Sequence, residues 1–319
     1  MNNVSAVYKV GFVLDLHGRN NNPIARMDNY PEAILKKVEY IIEHNDIIVF
    51  TGDIFNTYLT GISFINKLML LLVKAQASGK IIKMIMGNHD IIGRAYDSFL
   101  NTSFGTLVIG RNWLLKEAYA PLGFEIVPLT FKENGTPWHM YMSDDYESDP
   151  KWCRILVGHC YFNHPEFNDK WNIDKETLKG FDYCVLGHDH TQYEPEEFSW
   201  EDEKKTCLLL RSGAISRQTV DEKDLDIKYP QVTISLNHDN EVLSSQATYE
   251  NVPYAPPEEV FKLIDNSSKD LAQHKKNIDR MIELLQIEDE SNDLSLDSVL
   301  SEINCPQKYK DIINEVLKG

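Results

Sequence analysis

Short apolar runs alternate with stretches of helical periodicity along the first 190 residues, and each run stops at a polar cluster. Val10 to Leu14, Ile47 to Phe50, Ile81 to Met86 and Tyr183 to Leu186 have the length and continuity of buried strands. Pro31 to His44 places Ile34, Leu35, Val38, Ile41 and Ile42 along one helical stripe. Ser63 to Ala77 is a second helix, whose run Leu68-Met69-Leu70-Leu71-Leu72-Val73 is apolar around most of its circumference and predicts burial on more than one side. The pattern predicts an α/β fold with strands and helices alternating up to Gly187. Beyond it, Cys207 to Leu210 reads as a further strand. Val232 to Leu236 and Val242 to Tyr249, separated by a His-Asp-Asn turn, read as a hairpin.

The clusters that end these runs are Asp15-Leu16-His17, Gly52-Asp53, Gly87-Asn88-His89-Asp90, Gly158-His159 and Gly187-His188-Asp189-His190. Their donors are carboxylates, imidazoles and one amide oxygen, with no thiolate. Carboxylate and carbonyl oxygens suit Mg or Mn, and imidazole suits Fe, Ni, Cu or Zn, so the set points to a pair of divalent metals. Residues two apart on an extended strand share a side, which predicts that Asp15 converges with His17, and His188 with His190. The carboxyl ends of strands are the usual place for sites in α/β sheets. Any one cluster is an ordinary turn sequence; five in order, each after a strand-like run, define a site.

These five blocks, Asp15 to His190, resemble the calcineurin-like metallophosphoesterase superfamily. The resemblance implies a four-layer αββα sandwich and a dinuclear centre. One metal would be held by Asp15, His17, Asp53 and His190, and the other by Asp53, Asn88, His159 and His188, with Asp53 bridging. His89 would face the substrate phosphate and orient it or protonate the leaving group. Asp90 would hold His89 in place. Two cations about 4 Å apart would activate a water and clamp the attacking and leaving oxygens of an in-line displacement.

Within the superfamily, Ser/Thr phosphatases carry Asp-Arg-Gly in the second block and Glu in the third. Here the residues are Gly52-Asp53-Ile54-Phe55-Asn56 and Gly87-Asn88-His89-Asp90. After the last His pair come Arg211-Ser212-Gly213-Ala214-Ile215-Ser216-Arg217, the hairpin, and Val252-Pro253-Tyr254-Ala255-Pro256-Pro257. This closing pattern is similar to the SbcD family, the nuclease subunit of a DNA double-strand-break processing complex. It implies DNA as substrate, two Mn ions (Mg or another divalent metal in their place), a homodimer, and an SbcC-like ABC-type ATPase as partner. Some relatives carry a His three residues after the second-block Asp; here it is Asn56, which cannot transfer a proton at neutral pH. The balance of exonuclease and endonuclease action therefore stays open. Arg19, Asn56 and Arg217 are the candidate substrate contacts, and Arg26, Lys36 and Lys37 are further cations near the first metal loop.

The expected organisation is a nuclease domain over 1–253 and a short helical C-terminal extension over 254–319. Ser268 to Leu285 and Leu294 to Leu317 carry helical patterns, separated by the acidic break Glu288 to Asp293. That tail could cap the core or dock on the ATPase. The chain has no Gly-x-x-x-x-Gly-Lys-Ser/Thr element, so ATP dependence would come from the partner. The net charge of -17 argues for weak DNA affinity in the isolated chain, although little of the acidic excess lies in residues 1–150. Met1 to Lys9 lack the apolar stretch of an export signal, and the five cysteines form no paired motif. The expected setting is the cytoplasm (the host's, for a phage protein), with no membrane span. A stand-alone phosphoesterase on cyclic nucleotides or small phosphoesters shares the motifs, whereas a non-catalytic scaffold predicts eroded ligands, and none of the eight expected positions is eroded.

Overall fold

A computed structural model describes residues 4–93, 96–121, 123–130, 139–140, 151–164, 172–201 and 205–262. The chain divides into a compact unit, Met1–Lys262, and a second one, Leu263–Gly319, which lies outside the described residues together with the expected tail helices and acidic break. The compact unit extends to Lys262, beyond Pro253, and is tied there by two buried side chains and two backbone hydrogen bonds. Val260 and Phe261 are buried, Met27 N–H donates to the Val260 carbonyl, and Lys262 N–H donates to that of Ala25.

The first half builds β1 (Ala6–Val13), α1 (Tyr30–His44), β2 (Ile47–Thr51), α2 (Ile62–Ala77), β3 (Ile81–Ile85) and a short α3 (Ser103–Val108). The Asn29 side chain caps α1 by accepting the Glu32 N–H, with Pro31 in the first turn, where its missing N–H costs nothing. The second half builds β4 (Phe124–Thr130), β5 (His139–Met140), β6 (Cys153–His159), β7 (Tyr161–Phe162), β8 (Asn172–Ile173) and β9 (Tyr183–Gly187). It continues with β10 (Glu196–Ser199), β11 (Thr206–Leu210), the hairpin β12 (Lys228–Leu236) and β13 (Val242–Asn251), and the one-turn α4 (Pro257–Val260).

Two sheets result. The first has the order β13-β12-β1-β2-β3, with β1, β2 and β3 parallel and the hairpin antiparallel at one edge. The second has the order β10-β11-β9-β6-β4-β5, with a parallel centre of β11, β9, β6 and β4. Strand alternation explains the continuous apolar runs. Val10, Phe12, Ile47 and Val49 face Phe124, Ile126, Ile155, Val157 and Val185 between the sheets. The intervening Val13, Ile48 and Phe50 pack under Ile34, Val38, Ile41, Phe64 and Leu68 of the helices.

The outer face of the second sheet departs from the expected alternation. Among the described residues no α-helix lies between β4 and β9. A 3-10 turn, Lys175–Leu178, supplies Leu178, which joins Phe181 and Trp200 over Leu156, Cys184 and Leu209. Among the described residues, α-helices cover the outer face of the first sheet, and the Lys175–Leu178 turn with Phe181 and Trp200 packs on that of the second. Cys153, Cys160, Cys184 and Cys207 are free and buried, and no described helix is long and apolar enough to cross a membrane.

Candidate metal centre

All five clusters lie at the carboxyl ends of parallel strands. β1, β2 and β3 of the first sheet deliver Asp15, His17, Asp53 and Asn88; β6 and β9 of the second deliver His159, His188 and His190. The side chains sort into two groups, Asp15 with His17 and His190, and Asp53 with His159 and His188. Within each group the ligating atoms lie within 4.8 Å of one another.

The delivery differs from simple strand alternation. β1 ends at Val13, and Asp15 and His17 both take left-handed backbone conformations, with φ of 46° and 47°. Asp53 (φ 47°) and His188 (φ 91°) do the same. A non-glycine residue rarely adopts φ in this range, and each instance costs on the order of 1–3 kcal/mol. The ligand loops are thus turns under strain, and His188 and His190 belong to different groups. Gly87 permits a close approach to a ligand: a Cβ there would sit 2.1 Å from Asp53 Oδ1.

Hydrogen bonds orient each ligand. Asp15 accepts the His188 N–H at 2.9 Å. Asp53 Oδ1 accepts the His89 N–H at 3.0 Å, which leaves Oδ2 between the groups, 3.3 Å from His159 Nε2 and 3.8 Å from His17 Nε2. His159 Nδ1 faces the Thr51 carbonyl at 2.9 Å, so in the neutral ring Nε2, 3.1 Å from Asn88 Oδ1, is the atom left to ligate. His190 Nδ1 lies 3.1 Å from Glu222 Oε1. Tyr161 packs edge-on against His188, ring centroids 4.3 Å apart.

The donor set fits two divalent cations. His17 Nε2 and His190 Nε2 stand 2.9 Å apart, and His159 Nε2 and His188 Nδ1 3.1 Å apart. Lone pairs aimed at each other at these distances repel unless a proton or a cation lies between them. Burial pushes His17 and His188 well below the usual imidazole range, into the neutral form that binds metal. Burial alone would raise the Asp53 carboxyl, but the charges of His159 and His89 outweigh it and hold Asp53 well below the usual carboxylate range.

His159 and His190 behave oppositely. Burial would lower both, yet Asp53 and its hydrogen bond lift His159 to about 9, and the Glu222 hydrogen bond with the Asp15 charge lifts His190 to about 9. Without cations both rings are protonated at pH 7, so metal binding must expel those protons. Apparent metal affinity should therefore rise with pH up to about 9, each ring contributing about tenfold per pH unit below that value. Calorimetric titration with Mn at pH 7, in two buffers of different ionisation enthalpy, should register about two protons released on full loading. Affinity that is flat in pH would contradict this.

His89 lies beside the cluster, its Nε2 3.9 Å from Asp53 Oδ2 and its Nδ1 2.7 Å from the Asn56 carbonyl. Asp90 does not hold the His89 ring, contrary to expectation. Its buried carboxylate accepts three backbone N–H groups, those of Ile54 (3.2 Å), Phe55 (3.1 Å) and Gly87 (3.0 Å), and so ties the second block to the third. Burial and the Asp53 charge push its carboxyl up to about 7. Arg19 and Asn56 are neighbours on the half-exposed rim next to His89, with Arg19 Nη1 3.5 Å from Asn56 Oδ1.

Three cations point inward. Arg217 is 2% exposed and donates to the Lys223 and Ala255 carbonyls at 2.9 and 2.8 Å, so its guanidinium braces the closing loop and offers no substrate contact. Arg26 donates to the Ser216 and Arg217 carbonyls, and Lys37 to that of Ile215. Glu222 is the site residue that the sequence reading missed. Its signal was present as the capping-box spacing Thr219-Val220-Asp221-Glu222.

Two parallel-centred sheets bring paired carboxylate–imidazole groups to their shared carboxyl edge, a donor set suited to a dinuclear metal centre. The calcineurin-like phosphoesterase family matches over residues 8–192, and this chain belongs to that family. No curated protein matches it by sequence. Among solved structures, a 5'-nucleotidase precursor of Thermus thermophilus aligns at a TM-score of 0.43 and 11% identity, over 87% of this chain and 60% of that one. The Haemophilus influenzae NAD nucleotidase gives 0.43 and 12%, over 94% and 60%. A dimetal phosphatase from Danio rerio gives 0.42 and 10%, over 76% and 99%. The chain thus spans 60% of the length of the two nucleotidase structures.

Proposed function

We propose that this chain is a DNA phosphodiesterase, the nuclease subunit of an SbcCD-like repair or recombination complex. In this reading it uses two Mn ions, forms a homodimer and works in the cytoplasm with an SbcC-like ATPase. The observation that carries the phosphodiester chemistry is the row His89, Asn56 and Arg19 along the half-exposed rim of the centre. The ions, when bound, supply Lewis-acid charge for an in-line displacement. The protein's own part is positional. The His89 Nδ1–H donated to the Asn56 carbonyl fixes the ring and aims Nε2 at the site, within reach of a phosphoryl or leaving oxygen. Arg19 supplies a fixed positive charge and Asn56 an amide for the flanking phosphate.

The choice of DNA is supported by the order of elements after His190: β11, the Ser212-Gly213 turn, the hairpin, and the strap Tyr254–Phe261 packed on the core. The exposed Ile62, Leu70 and Val73 of α2 support the dimer. A second reading, a stand-alone phosphoesterase on cyclic nucleotides or small phosphoesters, is favoured by the net charge of -17 and by the inward commitment of Arg26, Lys37 and Arg217.

End-labelled double- and single-stranded DNA with Mn separates the two, with a generic phosphodiester and a cyclic nucleotide alongside. The expected result is DNA degradation that falls about 10²–10⁴-fold in His89→Ala, with metal content and melting temperature unchanged. Turnover confined to the small substrates, with and without an SbcC-like partner, would move the chain to the second reading.

A further inference from the structure

We infer that Glu222 is the positioning residue for His190, and that the closing loop makes the Asp15–His17–His190 metal site dependent on the strap that ends the compact unit. The inference rests on the dinuclear reading of the centre and is independent of the substrate.

The two groups hold their imidazoles differently. His159 is oriented by a backbone carbonyl, that of Thr51, inside the family-matched region. His190 is oriented by a side chain from outside it, Glu222, whose Oε1 lies 3.1 Å from Nδ1. With Nδ1–H donated to this carboxylate, the lone pair stays on Nε2, which faces His17 Nε2 at 2.9 Å. The carboxylate cannot swing away. Its other oxygen, Oε2, accepts the N–H groups of Thr219 (3.0 Å) and Gln218, and the side chain is 15% exposed.

The loop itself is pinned on both sides of Glu222. Arg217 sits in a left-handed conformation (φ 42°), and its carbonyl accepts from Arg26, while its guanidinium donates to the Lys223 and Ala255 carbonyls. The same guanidinium lies 4.4 Å from the Tyr254 ring centroid and 5.8 Å from that of Phe261. Strap, guanidinium, loop, carboxylate and imidazole therefore form one continuous chain of contacts ending at the metal side of His190.

Glu222→Gln tests the role with almost no change of shape. The amide oxygen still accepts the Thr219 and Gln218 N–H groups, which turns the NH2 toward His190 Nδ1. A donor there favours the tautomer with hydrogen on Nε2, which cannot ligate. Metal-free protein would be titrated with Mn by calorimetry, and the Mn–Mn spin coupling read by electron paramagnetic resonance. The wild type should load two ions with a coupled signal. Glu222→Gln should weaken one site by about 10–100-fold, keep the other and lose the coupled signal at limiting Mn. Arg217→Lys should shift the same site in the same direction by less. Two sites of wild-type affinity in Glu222→Gln would overturn the inference. So would equal weakening of both sites together with a lower melting temperature, which marks a general structural role. A wild-type chain that loads fewer than two ions would overturn the dinuclear reading beneath it.

Discussion

Asp53→Asn should abolish two-ion loading and lower phosphodiester turnover by at least about 100-fold, the upper end of what losing an outer-shell partner alone costs. The substitution is nearly isosteric, and an amide oxygen can still accept the His89 N–H now received by Oδ1 at 3.0 Å. What changes is the other atom. Oδ2 lies between the groups, 3.3 Å from His159 Nε2 and 3.8 Å from His17 Nε2, and an NH2 in its place offers no lone pair to either cation. The buried site also loses the negative charge that sets its attraction for metal. Metal analysis of the dialysed protein, with turnover of a generic phosphodiester, checks both statements. Two ions per chain at wild-type affinity in Asp53→Asn would show that Asp53 is not shared.

Asp90→Ala should be the most destabilising single change near the centre. Removal of the carboxylate strands the N–H groups of Ile54, Phe55 and Gly87 in a buried place, at about 1–3 kcal/mol each, so a loss of about 3 kcal/mol or more is expected. For a unit of this size that corresponds to a melting temperature lower by about 6–12 °C. Asp90→Asn should recover only part of this, because an amide has one acceptor oxygen where three donors converge. Thermal melts of the three proteins at one pH and one metal concentration decide it. An Asp90→Ala protein that melts with the wild type but has lost activity would return Asp90 to the role of a His89 partner.

The parts of the molecule that sequence made legible are those where local pattern and tertiary burial agree. The strands before Asp53 and His188, and the second half of the one before Asp15, were visible because both faces are covered, and the run before Asn88 stands out despite Lys83 in its middle. α1 was visible through its apolar stripe from Pro31 onward. The outer cover of the second sheet was not visible, because Leu178 and Phe181 do from a turn what a helix does elsewhere, and a turn has no period. The ligand loops were placed correctly along the chain but in the wrong conformation, since Asp15-Leu16-His17 looks the same as text whether extended or left-handed. Charge misled at Arg26, Lys37 and Arg217. Each basic residue reads as a phosphate contact until the carbonyls that it satisfies are seen, and those carbonyls lie far away along the chain. Glu222 escaped for the same reason: its partner His190 comes from a different strand end, and only the fold brings them together.

The two groups of ligands have one more property in common. Each draws its carboxylate from the first sheet and at least one imidazole from the second, so neither can close unless the two halves of the sandwich are seated on each other. The centre is thus a double clasp as well as a reaction site. Loading couples to the register of the two halves, at about 2.7 kcal/mol for each ion present at a hundred times its dissociation constant. The molecule's grip on metal and its grip on its own shape are in that sense the same quantity.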